Sequence, residues 1–287
     1  MRPEQITEAQ IHDFIVAGLH EDVRDGDHTS IATIPADDRS RAVLKVKDYG
    51  VLAGIELACH IFRHADPTCV VQVFKQDGDD SFYGEIAFEV EGYTRSILQA
   101  ERLVLNSMQR MSGIATLASR FAFEVGDLKT KVLDTRKTTP LIRFLEKWAV
   151  KIGGCENYRW GLYDWIMIKD NHVDAAGGIR KAVESAHHYL KTNNLDLGIT
   201  LEVRNLVEVH EALEVGGITQ LMFDNFEIPI LAEAVATVGG RFKTEASGGI
   251  TLNTVRKYAR TGVDYVSAGA LTHSAQPLDL SLKIVKD

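Results

Sequence analysis

The chain is poor in cysteine, in positive charge and in long apolar runs, and each shortage excludes something. Cys59, Cys69 and Cys155 are the only cysteines in 287 residues. An odd, sparse set without metal-ligand spacing rules out a disulfide framework or a zinc module, and fits reduced thiols in a cytoplasm. No apolar stretch approaches the ~18–20 residues that a membrane helix needs, so no membrane span is expected. The 32 Lys and Arg are outnumbered by 40 Asp and Glu, for a net charge of −8. A nucleic-acid partner would favour a basic face, so none is expected. The first 25 residues are polar and acidic, without the pattern of a targeting segment, and none is predicted.

What remains is an ordinary globular composition, 45% hydrophobic and 25% charged, long enough for one large domain or two smaller ones. Against a negative background, any cluster of cations is locally significant.

The first ~110 residues differ in texture from the rest. Residues 7–19 read as an amphipathic helix capped by Thr7. Residues 41–47, 69–75 and 86–93 read as strands, 53–64 as a helix and 77–80 as a turn. Together they predict a small α+β unit with an antiparallel or mixed sheet. Residues 96–113 read as a long helix with Leu98, Leu103, Leu105, Met108 and Met111 on its apolar face.

After Val132 the pattern changes. Six short apolar runs, 131–136, 166–170, 199–203, 220–224, 241–247 and 265–269, each close on charged or glycine residues. Helix-length amphipathic stretches separate them, which predicts βα units of a parallel sheet. Six units are fewer than the eight of a closed barrel, so an incomplete barrel is expected. The overall class is α/β: an N-terminal α+β domain over 1–112, joined by a returning tail of about 275–287, and an incomplete six-stranded parallel barrel over 113–274.

Ligands bind at the carboxyl ends of such strands, and here those ends sort by sign. Asp134-Thr135-Arg136-Lys137-Thr138-Thr139-Pro140 places two cations before a helix start. Arginine offers a bidentate fork and lysine a point charge to a carboxylate or phosphate. Arg159 follows in the next loop. Lys169 ends a strand that should be buried, where it must find an anion or lose its charge. It reads as a ligand contact, as a salt bridge to Asp170 or a neighbour, or as a Schiff-base lysine, for which the crowding of charge is unfavourable. Glu202 and Asp224 end consecutive strands, and could hold a divalent metal with ligand oxygens, bind sugar hydroxyls, or act as an acid/base pair. Ser247-Gly248-Gly249 and Gly269 let backbone amides approach an anion, as at the phosphate sites after the last two strands of barrels. His172 and His273 follow strand ends and are candidates for site contacts, whereas His187 and His188 sit in a predicted helix and read as surface residues. The ensemble predicts a polyanionic small acid, a hydroxylated and metal-bearing centre, and a terminal phosphate.

These residues resemble the quinolinate phosphoribosyltransferase family, also called nicotinate-nucleotide pyrophosphorylase. The resemblance runs nearly end to end. It rests on Gly50-Val51-Leu52-Ala53-Gly54, on Glu101-Arg102 with Gln109-Arg110-Met111-Ser112-Gly113, on residues 134–140, 157–164, 168–172 and 221–226, and on 245–251 and 262–274. It implies an N-terminal α/β open-faced sandwich beside the incomplete barrel. It implies a glycosyltransferase of NAD biosynthesis that combines quinolinate with phosphoribosyl pyrophosphate (PRPP). The products would be nicotinate mononucleotide, pyrophosphate and carbon dioxide, with Mg²⁺ and no organic cofactor. By position, Arg136, Lys137, Tyr158, Arg159 and Lys169 would bind quinolinate, with Lys137 and Lys169 also catalytic. Arg102 would reach the site of a neighbouring subunit in a homodimer or a dimer-based hexamer. Glu202 and Asp224 would face the ribose and Mg²⁺ and act in catalysis. Ser247, Gly248, Gly249, Gly269 and His273 would hold the phosphoribosyl group.

Two departures stand out. Tyr158 occupies the position of the family's usual histidine, so its phenol replaces the imidazole or a ligand contact differs. Leu141 occupies that of a usual glycine. The rival readings are a nicotinate-using phosphoribosyltransferase, a molybdenum-transport-associated member of the same superfamily, and a non-catalytic metabolite-binding protein. Retention of Glu202 and Asp224 counts against the last.

Overall fold

Thr7 starts the first helix as expected: its Oγ1 accepts the Gln10 amide at 3.2 Å, and α1 (Glu8–Val23) follows. The cap satisfies one of the amides that a helix start leaves unpaired. The computed structural model describes residues 2–285, so the last two residues of the predicted tail lie outside the described residues. The chain divides into two units. One is Met1–Ser119 with Thr139–Gly154 and Ala275–Asp287, the other Arg120–Thr138 with Cys155–Ser274.

In the first unit, Asp27 caps α2 (His28–Thr33) by accepting the Ser30 amide at 3.0 Å. Then come β1 (Arg39–Val46), β2 (Gly50–Val51), α3 (Ile55–Ala65), β3 (Val70–Val73), β4 (Asp80–Ser81) and β5 (Ile86–Tyr93). β5 pairs antiparallel with both β1 and β3, and β2 pairs with β4. Ala42, Leu44 and Val46 of β1 and Phe88 and Val90 of β5 are fully buried, as are Leu57, Ala58 and Ile61 of α3. Phe62 of α3 meets Phe88 edge-on at 5.8 Å, so the helix covers one face of this sheet.

α4 (Thr94–Val125) runs 32 residues, well past the expected end at Gly113. That glycine is there for closeness rather than for termination. A Cβ on it would lie 2.0 Å from the Gln276 carbonyl oxygen, a distance no side chain tolerates.

β6 (Lys131–Leu133) opens the second unit's sheet, and α5 (Arg143–Ile152) follows in sequence. α5 packs within the first unit, although the sequence boundaries leave it with the barrel. Its Phe144 meets Phe14 at 5.5 Å, and its buried Glu146 accepts from Arg110 at 2.8 Å. The apolar face and the buried ion pair both bind α5 to that unit.

The remaining elements alternate: β7 (Ile166–Ile168), α6 (Asp170–Ala176), α7 (Ile179–Thr192), β8 (Ile199–Val203), α8 (Leu206–Val215), β9 (Gln220–Asp224), α9 (Ile228–Val238), β10 (Lys243–Ser247), α10 (Val255–Ala259), β11 (Tyr265–Ser267) and α11 (Ala270–His273). The six parallel strands take the order β6-β11-β10-β9-β8-β7, which leaves β6 and β7 as ends. Residues following both end strands line the same cavity as residues of the central strands, so the sheet curls into an incomplete barrel. β12 (Leu280–Val285) completes the first unit, pairing antiparallel with β1 to give the order β12-β1-β5-β3. Among the described residues, no helix is long and apolar enough to cross a membrane.

Candidate active site

The six parallel strands deliver their carboxyl ends to one cavity of about 590 Å³. Of the residues expected at the site, Arg136, Lys137, Tyr158, Arg159, Lys169, Glu202, Asp224, Ser247, Gly248, Gly249 and Gly269 all line it. A larger hollow of about 820 Å³ in the first unit includes Asp38, Arg39 and Arg41. There the Thr94 hydroxyl already bonds Asp38 and Ser40, and no set of catalytic groups converges.

The cationic wall begins after β6. Asp134 is fully buried and accepts the Asn157 side-chain amide and the Tyr158 backbone amide, each at 2.8 Å. It therefore ties the 157–159 loop to the end of β6. Lys137 is held through its backbone: its amide bonds Thr135 Oγ1 at 3.0 Å, and its carbonyl accepts the buried Thr272 hydroxyl at 2.7 Å. The Arg136 and Arg159 guanidinium groups repel one another. Burial first, and Arg136 second, pull the Arg159 pKa below its ordinary value. Arg136 Nε is buried without a hydrogen-bond partner, and neither arginine forms an ion pair among the described residues. Two half-buried cations held close together are costly unless an anion arrives.

Lys169 corrects the expectation of a buried ammonium. The strand before it is buried at Ile168, but the Lys169 side chain is 46% exposed. Its amine lies 3.8 Å from Glu202 Oε2, a loose ion pair. Its amide donates to His172 Nδ1 at 3.0 Å, so His172 closes the start of α6 and lies outside the cavity lining.

Tyr158 also differs from its reading as a ligand-facing hydroxyl. Its Oη lies 2.7 Å from Thr200 Oγ1 and accepts from Gln220 Nε2 at 3.1 Å. Trp165 Nε1 donates to the same Thr200 hydroxyl at 2.8 Å. Burial drives the Tyr158 pKa far above the usual phenol value, so the ring is a neutral, fixed part of the barrel interior.

The opposite wall is acidic. Glu202 of β8 and Asp224 of β9 lie on adjacent parallel strands, Glu202 opposite Met222 and thus one same-face step below Asp224. Burial raises the Glu202 pKa above the usual carboxylate range; Lys169 opposes this and Asp224 adds to it. Asn225 turns the chain at φ 55°, a left-handed conformation that asparagine tolerates, and its side-chain amide donates to Asp224 Oδ2 at 2.9 Å. Two oxygen-donor carboxylates suit Mg²⁺, which takes one or two protein carboxylates and completes its shell with water and substrate phosphates. Among the described residues, no cluster of three His, Cys, Asp or Glu would hold a metal unaided.

The glycine end follows β10. Gly248 has φ +102°, and a Cβ there would lie 2.1 Å from Asn225 Oδ1; Gly249 has φ +58°. The two positive-φ glycines make a tight turn with no side chain in the way, and backbone amides in such a turn can cradle an anion. A Cβ on Gly269 would meet Lys137 Cδ at 2.9 Å and His273 Nε2 at 3.1 Å. His273 is therefore beside this end without lining the cavity, and its Nδ1 is 2.8 Å from the Ser274 hydroxyl. Arg102 lies elsewhere, exposed on α4 along a groove with Glu21, Asp22 and Arg110 of the first unit.

Sequence reasoning missed Asp134 and Asn225 as organisers and left Glu245 without a role. Asp134 stands inside the quoted cationic motif, and an acid preceding two cations was the available signal.

Comparison with known proteins identifies the family. The family described as quinolinate phosphoribosyl transferase, C-terminal domain, matches residues 114–283, and its N-terminal domain matches 27–112. Quinolinate phosphoribosyltransferase [decarboxylating] 1b of Nicotiana tabacum is 47% identical over 285 residues, covering 94% of this chain and 81% of the relative. A probable nicotinate-nucleotide pyrophosphorylase [carboxylating] of Bacillus subtilis is 39% identical, covering 92% and 90%. The solved nicotinate-nucleotide pyrophosphorylase of Francisella tularensis superposes with a TM-score of 0.91 at 33% identity, over 99% of each chain.

Proposed function

The chain belongs to the quinolinate phosphoribosyltransferase family, and from that premise we propose how its barrel cavity performs the reaction. The enzyme transfers phosphoribosyl from PRPP to quinolinate with loss of carbon dioxide, giving nicotinate mononucleotide for NAD biosynthesis.

The observation that carries the site assignment is the pair of unneutralised guanidiniums, Arg136 and Arg159, facing Glu202 and Asp224 in one cavity. A pyridine dicarboxylate supplies the missing anions. Arg136, Lys137, Arg159 and Lys169 bind it and aim its ring nitrogen at C1 of the ribose, which converts an encounter into a positioned reaction. The Ser247–Gly249 turn and Gly269, with His273 alongside, hold the 5′-phosphate. Glu202 and Asp224 face the ribose, where their charge stabilises the oxocarbenium-like C1 as pyrophosphate departs. They would also hold Mg²⁺, which would supply charge neutralisation for the leaving pyrophosphate. Tyr158 positions Arg159 from below through Thr200 and Gln220. The pyridinium formed is its own electron sink for decarboxylation, so no organic cofactor is required.

The working form is a homodimer at least, in which Arg102 of each chain completes the partner's site. Its exposure on α4 supports this. Three free thiols suit a reducing cytoplasm.

Purified protein mixed with quinolinate, PRPP and Mg²⁺ should release pyrophosphate and carbon dioxide in equal amounts and form nicotinate mononucleotide. Absence of all three products would refute the assignment.

A further inference from the structure

One carboxylate of the cavity has no part in the account above. Glu245 of β10 is completely buried yet lines the cavity. Its Oε2 accepts a hydrogen bond from Gln220 Nε2, the same amide that reaches Tyr158 Oη. Its Oε1 has no hydrogen-bond partner. The register places Glu245 opposite Met222, and Met222 opposite Glu202, so all three share one layer of the barrel interior. An orphaned carboxyl oxygen at such a depth is costly, and a fold that keeps one has a use for it.

The protonation state follows from the surroundings. Burial pushes the Glu245 carboxyl up to about 7, opposed by the Ser267 and Tyr158 hydroxyls and the Gln220 amide, with Glu202 adding repulsion. Near neutral pH a large share of the protein therefore carries a proton here.

The reaction has a matching gap. Once the glycosidic bond forms, the bond between C2 of the pyridinium and its carboxylate breaks. The electron pair stays on C2, stabilised by the adjacent cationic nitrogen, and carbon dioxide leaves. C2 must then take a proton before it recaptures the carbon dioxide held beside it, so protonation is the step that commits the decarboxylation. We propose that Glu245 is the acid that protonates C2, an assignment that rests on the transferase reading of this cavity. The Oε1–H bond breaks as the C2–H bond forms. Glu245 is left as a carboxylate and regains its proton from water after the product departs.

The other cavity groups are less suited. The Tyr158 hydroxyl is engaged by Thr200, Gln220 and Glu245 itself, arginines do not release protons, Lys169 leans toward Glu202, and Lys137 is exposed. Glu202 and Asp224 serve the sugar. Glu245 is the acid buried between the two walls.

The test is a single turnover of quinolinate, PRPP and Mg²⁺ on excess enzyme, following pyrophosphate and carbon dioxide separately. Glu245→Gln keeps the size and loses the acid. Pyrophosphate release should stay within about threefold of wild type while carbon dioxide release slows about 100-fold, the usual worth of a general acid. The still-carboxylated mononucleotide should accumulate and be visible by mass spectrometry. If both releases slow together, or neither slows, the assignment is wrong.

Should the variant not fold, the wild-type pH profile carries the same test. The groups facing Glu245 are Gln220 from β9, Ser267 from β11, Tyr158, which stays neutral, and Glu202 from β8, which acts on the pyrophosphate step. Protonated Glu245 is the working form, so the ratio of carbon dioxide to pyrophosphate rates should fall as pH rises through about 7. A flat ratio overturns the proposal. Wild-type enzyme that releases no pyrophosphate refutes the transferase reading, and the Glu245 assignment falls with it. Wild type that releases both products leaves the variant to judge Glu245 alone.

Discussion

Replacing Arg136 with methionine should move two properties in opposite directions. Arg136 lies close enough to Arg159 to disfavour its charge, and its Nε is buried and unbonded. Methionine keeps much of the aliphatic bulk and deletes the charge. The ligand-free protein is relieved of a like-charge contact. Both groups are partly exposed, so solvent screening limits the gain to less than about 1 kcal/mol. Quinolinate loses one charge-assisted contact, worth roughly 1.5–3 kcal/mol, or about one to two decades in Kd. PRPP, held by the glycine turn and the acidic wall, should bind almost unchanged. Calorimetric titration with each ligand, alongside thermal melting, reads all three effects. A variant that melts well below wild type would show that Arg136 is a structural cation. Equal weakening of both ligands would show that the cationic and phosphate ends are not separate.

Three further outcomes follow from the same geometry. Glu202→Gln should spare quinolinate affinity and lower kcat, because its charge matters most when C1 becomes positive; loss of quinolinate binding in a titration would contradict that placement. Gly248→Ala should weaken PRPP binding with little effect on quinolinate. The added methyl group meets Asn225 Oδ1 at 2.1 Å at a φ of +102°, and the left-handed backbone alone costs about 1–2 kcal/mol. Retained PRPP affinity would remove the turn from the phosphate site. Mixing Arg102→Ala with Lys169→Ala, each inactive alone, should restore part of the activity through hybrid dimers. No recovery after verified subunit exchange would count against a site shared between chains.

Much of the barrel was legible because parallel strands are buried on both faces and read as apolar runs. The runs at 199–203 and 220–224 coincide with β8 and β9. The run at 131–136 overshoots β6, since its charged tail lies beyond the last strand pairing at Leu133. α4 was misjudged at Gly113 because a glycine read alone looks like a stop; only the Gln276 carbonyl beside it reveals its purpose. β2 and β4 are two residues each, too short to show a period. Within the site, the charged strand ends were visible because charge at a core boundary is unusual. The chain from Trp165 through Thr200, Tyr158 and Gln220 to Glu245 was not. Its members come from three strands and a loop, and only closure of the sheet brings them together.

The central claim is that the cavity is built for two carboxylates on one ring. Side-by-side turnover of quinolinate and nicotinate by the wild-type enzyme, with PRPP and Mg²⁺ saturating, tests it most directly. With Arg136, Lys137, Arg159 and Lys169 all lining the cavity, quinolinate should be consumed far faster than nicotinate. Equal turnover of the two acids, or a preference for nicotinate, would contradict the account.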